Sequence, residues 1–148
     1  MRRRRFLAAG AAALALPAAA QRFQPGQDIA PLIAQVTGGV APGRDGIAIE
    51  LPQIAENGNS VPLRVRVDSP MSAADHVRAI HVFAARNPRP RVATFHLGPR
   101  NGRAEVATRV RLAGTQTVTV LAALSGERFR VAEAEVLVTS AACLDESL

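Results

Sequence analysis

The chain holds a single cysteine, Cys143, in the stretch "VLVTSAACLDESL", with five residues after it. An unpaired cysteine is an inert small hydrophobe, half of an intermolecular disulfide, or a reactive thiol. Its position favours a functional thiol. The strand-like pattern stops near Thr139, and Ser140, Ala141 and Ala142 put no bulk before the sulfur. Asp145 and Glu146 then make the end polar and acidic. Chain ends are usually mobile, so the sequence predicts a slim, flexible C-terminal tail bearing an accessible cysteine. The deprotonated sulfur is the form that attacks another sulfur. The two nearby carboxylates disfavour that form and repel an incoming oxyanion.

Other reactive side chains are fewer. His76, His81 and His96 are the only histidines. His76 and His81 are five apart on or beside a strand and so point to opposite faces, a poor metal pair. Asp68, Ser69 and His76 have the residue types of a hydrolase triad, yet no nucleophile elbow or glycine-rich oxyanion loop accompanies them. "DSP" is more simply a turn. No catalytic residue, metal ligand or cofactor is expected. Arg86, Arg89, Arg91, Arg100 and Arg103 fall in two loops, "ARNPRPR" and "PRNGR". They read either as a solvated rim or as a cationic patch for an anion or an acidic partner, since guanidinium forks suit sulfur and phosphorus oxyanions.

The N-terminus sets the expected compartment. "MRRRRFLAAGAAALALPAAAQ" has four arginines, an apolar run and an A-x-A ending at Ala18–Ala20, the pattern of a cleavable signal peptide. Its apolar run falls short of the about 20 residues of a membrane span, so no stable membrane insertion is expected. Arginine pairs before Phe6 and Leu7 fit twin-arginine export, although four arginines also suit the general secretory route. Cleavage after Ala20 leaves a periplasmic chain of 128 residues. Of the 18 basic residues, all arginine, four lie in the signal; the remaining 14 face 12 acids, a net charge of +2. Trp and Tyr are absent. Nucleic-acid binders combine a basic stripe with stacking aromatics, so no nucleic acid is expected as a partner.

The elements that must position the thiol are strands. Residues 21–45 form an extension that permits one short helix in "DIAPLIAQVTGG", with Asp28 as cap and Gly38–Gly39 as stop. Residues 46–139 read as one β domain and residues 140–148 as an arm. "VPLRVRVD" alternates Leu63, Val65 and Val67 against Arg64, Arg66 and Asp68, the period of a half-buried strand. "GIAIELPQ", "VRAIHVFA", "RVATFHLG", "GRAEVATRVRLA", "TQTVTVLAAL" and "RFRVAEAEVLVT" complete the set. "ENGNS", "DSP", "NPRP" and "PRNG" break them with turn chemistry, and Ser125–Gly126 predicts a tight hairpin. About seven short strands predict an immunoglobulin-like antiparallel β-sandwich.

Five blocks resemble the SoxY family, the sulfur-carrier subunits of the periplasmic Sox thiosulfate-oxidation system. They are Pro52–Gly58, "VDSPM" at Val67–Met71, "HVRAIHVFA" at His76–Ala84, "NPRP" at Asn87–Pro90 and "ATFH" at Ala93–His96. The resemblance implies an immunoglobulin-like sandwich that forms a heterodimer with a SoxZ-like subunit of the same type. It implies a carrier, not an enzyme, whose Cys143 holds a covalent sulfur intermediate and presents it to the Sox enzymes that load and process it. The family's arm is glycine-rich around its cysteine. Here Ala141 and Ala142 precede Cys143 and residues 144–148 follow it, a stiffer and longer arm, because alanine does not share glycine's conformational freedom. A binding module of the same fold without carrier chemistry is the alternative.

Overall fold

The computed structural model describes residues 26–143. The signal-peptide reading and the acidic end of the tail fall outside that range. Helix α1 (Ala30–Thr37) is followed by strands β1 (Ile47–Glu50), β2 (Ile54–Ala55), β3 (Val61–Val67), β4 (Val77–Ala84), β5 (Arg91–His96), β6 (Ala104–Val110), β7 (Gln116–Leu124) and β8 (Arg128–Val138). They form two sheets, β1-β3-β6 and β2-β8-β7-β4-β5. The fold is the expected sandwich, and β3 keeps a strict buried/exposed alternation along its length.

Three features depart from the simple pattern. First, β4 and β7 are buried on both faces over most of their length. Their inner residues Ile80, Val82, Val118 and Val120 pack against Val61, Val65 and Leu112 between the sheets. Their outer residues Phe83, Leu121 and Ala123 form a second apolar cluster with Phe129 and Val131 beneath Ile29, Leu32, Ile33 and Val36 of the α1 segment. The spacing of those four residues is that of one helix face. Asp28 accepts a hydrogen bond from the Ala30 amide at 2.9 Å, and Gly38 closes the helix in the left-handed region at φ 62°.

Second, β2 makes eight strands rather than about seven. It pairs in parallel with β8, Ile54 opposite Leu137 and Ala55 opposite Val138. Two residues between Pro52 and Glu56 show no periodicity that could mark a strand. Third, the β7–β8 hairpin is one residue longer than predicted. Leu124 pairs with Arg128, leaving Ser125, Gly126 and Glu127 as the loop, with the last two at positive φ.

The register orients the molecule. The ends of β4 and β8, the starts of β3, β5 and β7, and the end of β6 meet at one end of the sandwich. The β7–β8 hairpin and the start of β4 lie at the other, joined by the bond from the Ser125 amide to the His76 carbonyl.

Candidate functional site

The arm leaves the end of β8 and continues along the body. Thr115 fastens its base: the Thr115 hydroxyl accepts from the Val138 amide at 2.9 Å. The Thr139 amide then donates to Ala55 O at 3.0 Å, and the Thr139 hydroxyl donates to Glu56 O at 3.2 Å. The Gly58 amide donates to Ser140 O at 2.7 Å, and the Ala142 amide donates to Leu112 O at 3.0 Å. Leu112 and Gly58 join the two sides, the Leu112 amide donating to Gly58 O at 2.8 Å. Ser140 and Ala141 are exposed, Ala142 is buried, and Cys143 is exposed.

Residues 140–142 are seated on the body because their peptide groups find partners on both sides. Gly58 permits the approach: a Cβ there would lie 2.5 Å from Leu112 O, 2.8 Å from Ala142 N and 3.0 Å from Ser140 O. The alanines have a packing role as well, since Ala142 fills the space beside this contact.

Behind the seat lies a buried polar knot. Asn87 donates through Nδ2 to Arg111 O at 2.8 Å, and its Oδ1 accepts from the Ala113 amide at 2.9 Å and from Gln116 Nε2 at 3.1 Å. Gln116 Oε1 accepts from the Arg86 amide at 2.9 Å. The Arg86 guanidinium donates to Thr115 O at 2.6 Å and lies against Gly114. These bonds fix the 111–116 loop, and with it the Leu112 carbonyl that receives the arm. In the sequence Gly58 and Asn87 stand in blocks that resemble the SoxY family and Thr115 opens a strand-like run, with no local sign of contacts made across tens of residues.

The five arginines do not form one patch. Arg86, Arg89 and Arg91 precede or begin β5, whereas Arg100 and Arg103 follow its end. The strand separates the two groups by roughly 17 Å at the usual rise per residue. Arg86, Arg89 and Arg91 stand at the end of the sandwich that carries Cys143, and Arg111 joins them there. Arg86 is committed to its loop, and Arg91 lies 5.9 Å above the Phe83 ring.

The histidines are scattered too. His76 Nδ1 lies 3.1 Å from Ser72 O, in the turn before β4. Ser69 accepts from the Met71 amide, so "DSP" acts as a turn. His81 is buried on the outer face, 3.1 Å from the Thr94 hydroxyl and stacked on Phe83. Burial, then the charges of Arg91 and His96, push its pKa below the ordinary histidine value. Among the described residues no group of three or more His, Cys, Asp or Glu is placed to hold a metal, and no helix is long and apolar enough to cross a membrane.

Against this geometry the comparisons are specific. The family model of the sulfur oxidation protein SoxY matches residues 33–143, from the middle of α1 to the cysteine. The chain belongs to the SoxY family. It is also similar to the solved structure of the sulfur carrier protein SoxY from Chlorobium limicola f thiosulfatophilum, at 34% identity and a TM-score of 0.62 over 74% of this chain and 94% of that one. More remote likeness extends to the superoxide reductase (neelaredoxin) of Ignicoccus hospitalis, at 19% identity and a TM-score of 0.57 over 64% of this chain and 80% of that one. A putative superoxide reductase from Thermotoga maritima aligns at 22% identity and a TM-score of 0.54, over 62% of this chain and 84% of that one. Those two likenesses concern the fold alone. No curated protein matches the chain. Membership in the SoxY family supports a carrier role in sulfur oxidation, and the matched region ends on Cys143 itself.

Proposed function

We propose that the protein is a periplasmic sulfur carrier that holds sulfur intermediates covalently on Cys143 and presents them to partner enzymes of thiosulfate oxidation. The observation that carries this reading is the exposed thiol of Cys143, one residue beyond the seated Ala142, in a chain of the SoxY family. Coupling a thiol to the outer sulfur of thiosulfate forms an S–S bond and releases a proton and two electrons. The carrier therefore depends on a loading enzyme that accepts those electrons, and the thiol's task is to be reached by it. Sulfur that remains attached is later released by a second partner. The carrier acts as a heterodimer with a SoxZ-like sandwich, and cleavage after Ala20 delivers it to the periplasm.

Intact mass of the exported protein from thiosulfate-grown cells tests the reading. Adducts that add sulfur or sulfur with oxygen, vanish with reductant and are absent from Cys143→Ser are expected. A bare thiol under all growth conditions, with wild-type sulfur oxidation in Cys143→Ser, would leave only a binding module. N-terminal sequencing of the same sample should begin at Gln21, and co-expression with a SoxZ-like chain should shift the protein to a heterodimer on size exclusion.

A further inference from the structure

The seat of the arm is more selective than a chain end requires. One glycine, at 58, touches the arm from two sides, and one peptide, at Leu112, bonds to both the glycine and the arm. The Leu112 loop is itself held by a buried asparagine whose carboxamide bonds to Arg111, Ala113 and Gln116. The described arm therefore has two unlike parts: residues 139–142 are part of the body, and Cys143 is the first exposed residue past the last of these bonds.

We propose that Gly58 and the Leu112 peptide form a latch that seats residues 140–142 and positions the Cys143 thiol at one end of the sandwich, with Asn87 holding the latch's far side. Gly58 and Asn87 are positioning residues: neither is bonded to the sulfur, and each acts through the peptide that receives the arm. The inference rests on the carrier reading for its purpose, though not for its geometry. A latched thiol is offered together with the 56–60 and 111–115 loops, so a loading enzyme meets a fixed surface. An unlatched one trails on a longer tether and reaches deeper. Opening requires the Gly58–Ser140 and Ala142–Leu112 bonds to break and the small Ala142 side chain to be uncovered. Each net bond of this kind shifts an equilibrium by about tenfold, so a docking partner can release the arm without disturbing the sheets.

The test uses the full exported chain and two variants. Gly58→Ala places a methyl against Ala142 N, Ser140 O and Leu112 O. Ala142→Pro removes the amide that reaches Leu112 and alters no residue of the two sheets, so it decides the matter alone if Gly58→Ala fails to fold. Two readouts are taken: hydrogen exchange of the amide at position 58, and the rate of Cys143 with a maleimide on a long polyethylene-glycol chain relative to its rate with iodoacetamide. In the native chain the position-58 amide is protected and the bulky reagent is disfavoured. In the variants, protection at position 58 falls about tenfold and the bulky-to-small rate ratio rises severalfold, while amides of β4 and β7 keep their protection. A merely structural role leaves that ratio unchanged. An unprotected amide at position 58 in the native chain, or an unchanged ratio in Ala142→Pro, overturns the latch. Neither readout involves a sulfur adduct, so failure of the latch and failure of the carrier reading are separate results.

Discussion

Asn87 shows how much one buried side chain can organise. It is 5% exposed and satisfies two backbone groups and one carboxamide with a single functional group. Asn87→Ala leaves Arg111 O and Ala113 N without this partner and Gln116 Nε2 with Gly114 O alone, in a largely buried site. Leaving buried polar groups unpaired costs about 1–3 kcal/mol each, partly recovered by relaxation, so we expect a loss of about 3 kcal/mol, read as a lower urea midpoint with an unchanged slope. His81 gives a pH-dependent counterpart. Burial first, then Arg91 and His96, lower its pKa, while the Thr94 hydroxyl and the Phe83 ring hold the ring in place. The folded state then binds the proton less readily than the unfolded chain. Stability is flat above about pH 6.5, the unfolded value, falls as pH drops toward the lowered folded value, and levels off below it. Urea unfolding at about pH 7.5 and about pH 5 checks this, with His81→Gln losing less between the two than the native chain. At this scale the sequence was only half legible. Cys143 stood out because it is alone and near an end, properties that one dimension records. Asn87 and Gly58 fell in blocks that resemble the SoxY family, yet their contacts were not legible, because each has a partner 24 to 82 positions away.

Among the elements, legibility followed periodicity. All seven strands expected from apolar alternation or runs are present, and α1 stops at its expected glycine, although its N-cap position is Ile29 rather than the expected Asp28. β2 was missed because two residues cannot display a period; its strand character comes from β8, which supplies the parallel partner. The run in β4, "VRAIHVFA", hinted at burial on both faces by lacking a clean polar side, and α1 supplies the cover. The helix is short, and isolated helices of eight residues are marginal in water. Its formation therefore depends on burying Ile29, Leu32, Ile33 and Val36 against Leu121 and Phe129. Ile33→Ala should destabilise the protein by about 1–2 kcal/mol, less than a fully buried isoleucine because Ile33 is only half-buried. Thermal unfolding with near-ultraviolet probes measures it. By contrast, the exposed ladder of Arg64 and Arg66 with Glu105 adds little, since surface pairs contribute roughly 0–1 kcal/mol.

The molecule as a whole has two unlike ends. One carries the arm with Cys143, the 111–116 loop, Arg86, Arg89, Arg91 and Arg111; the other holds the β7–β8 hairpin, the Arg128–Asp75 pair, Arg100 and Arg103. The length of β5, roughly 17 Å at about 3.3 Å per residue, exceeds the Debye length of about 10 Å at 0.1 M salt. Positive charge at the far end is therefore screened from the arm, whereas Arg111 adjoins Leu112, whose carbonyl receives the Ala142 amide. Sulfur oxyanions are steered by the nearer field, which offsets the repulsion expected from Asp145 and Glu146. The prediction compares two reagents on the purified protein. Tetrathionate is a dianion; the Cys143 thiolate attacks one of its inner sulfurs, forms an S–S bond and expels thiosulfate. Methyl methanethiosulfonate is neutral; the thiolate attacks its thiomethyl sulfur and expels methanesulfinate. Arg111→Glu should slow the tetrathionate reaction at low salt and leave the neutral reagent's rate nearly unchanged. Arg103→Glu makes the same change of net charge and should alter neither. At about 1 M salt, where the Debye length is about 3 Å, the near-end effect should disappear. Equal slowing by both variants would mean that the thiol responds to net charge alone, and the division of the arginines by β5 would then have no bearing on how the carrier is loaded.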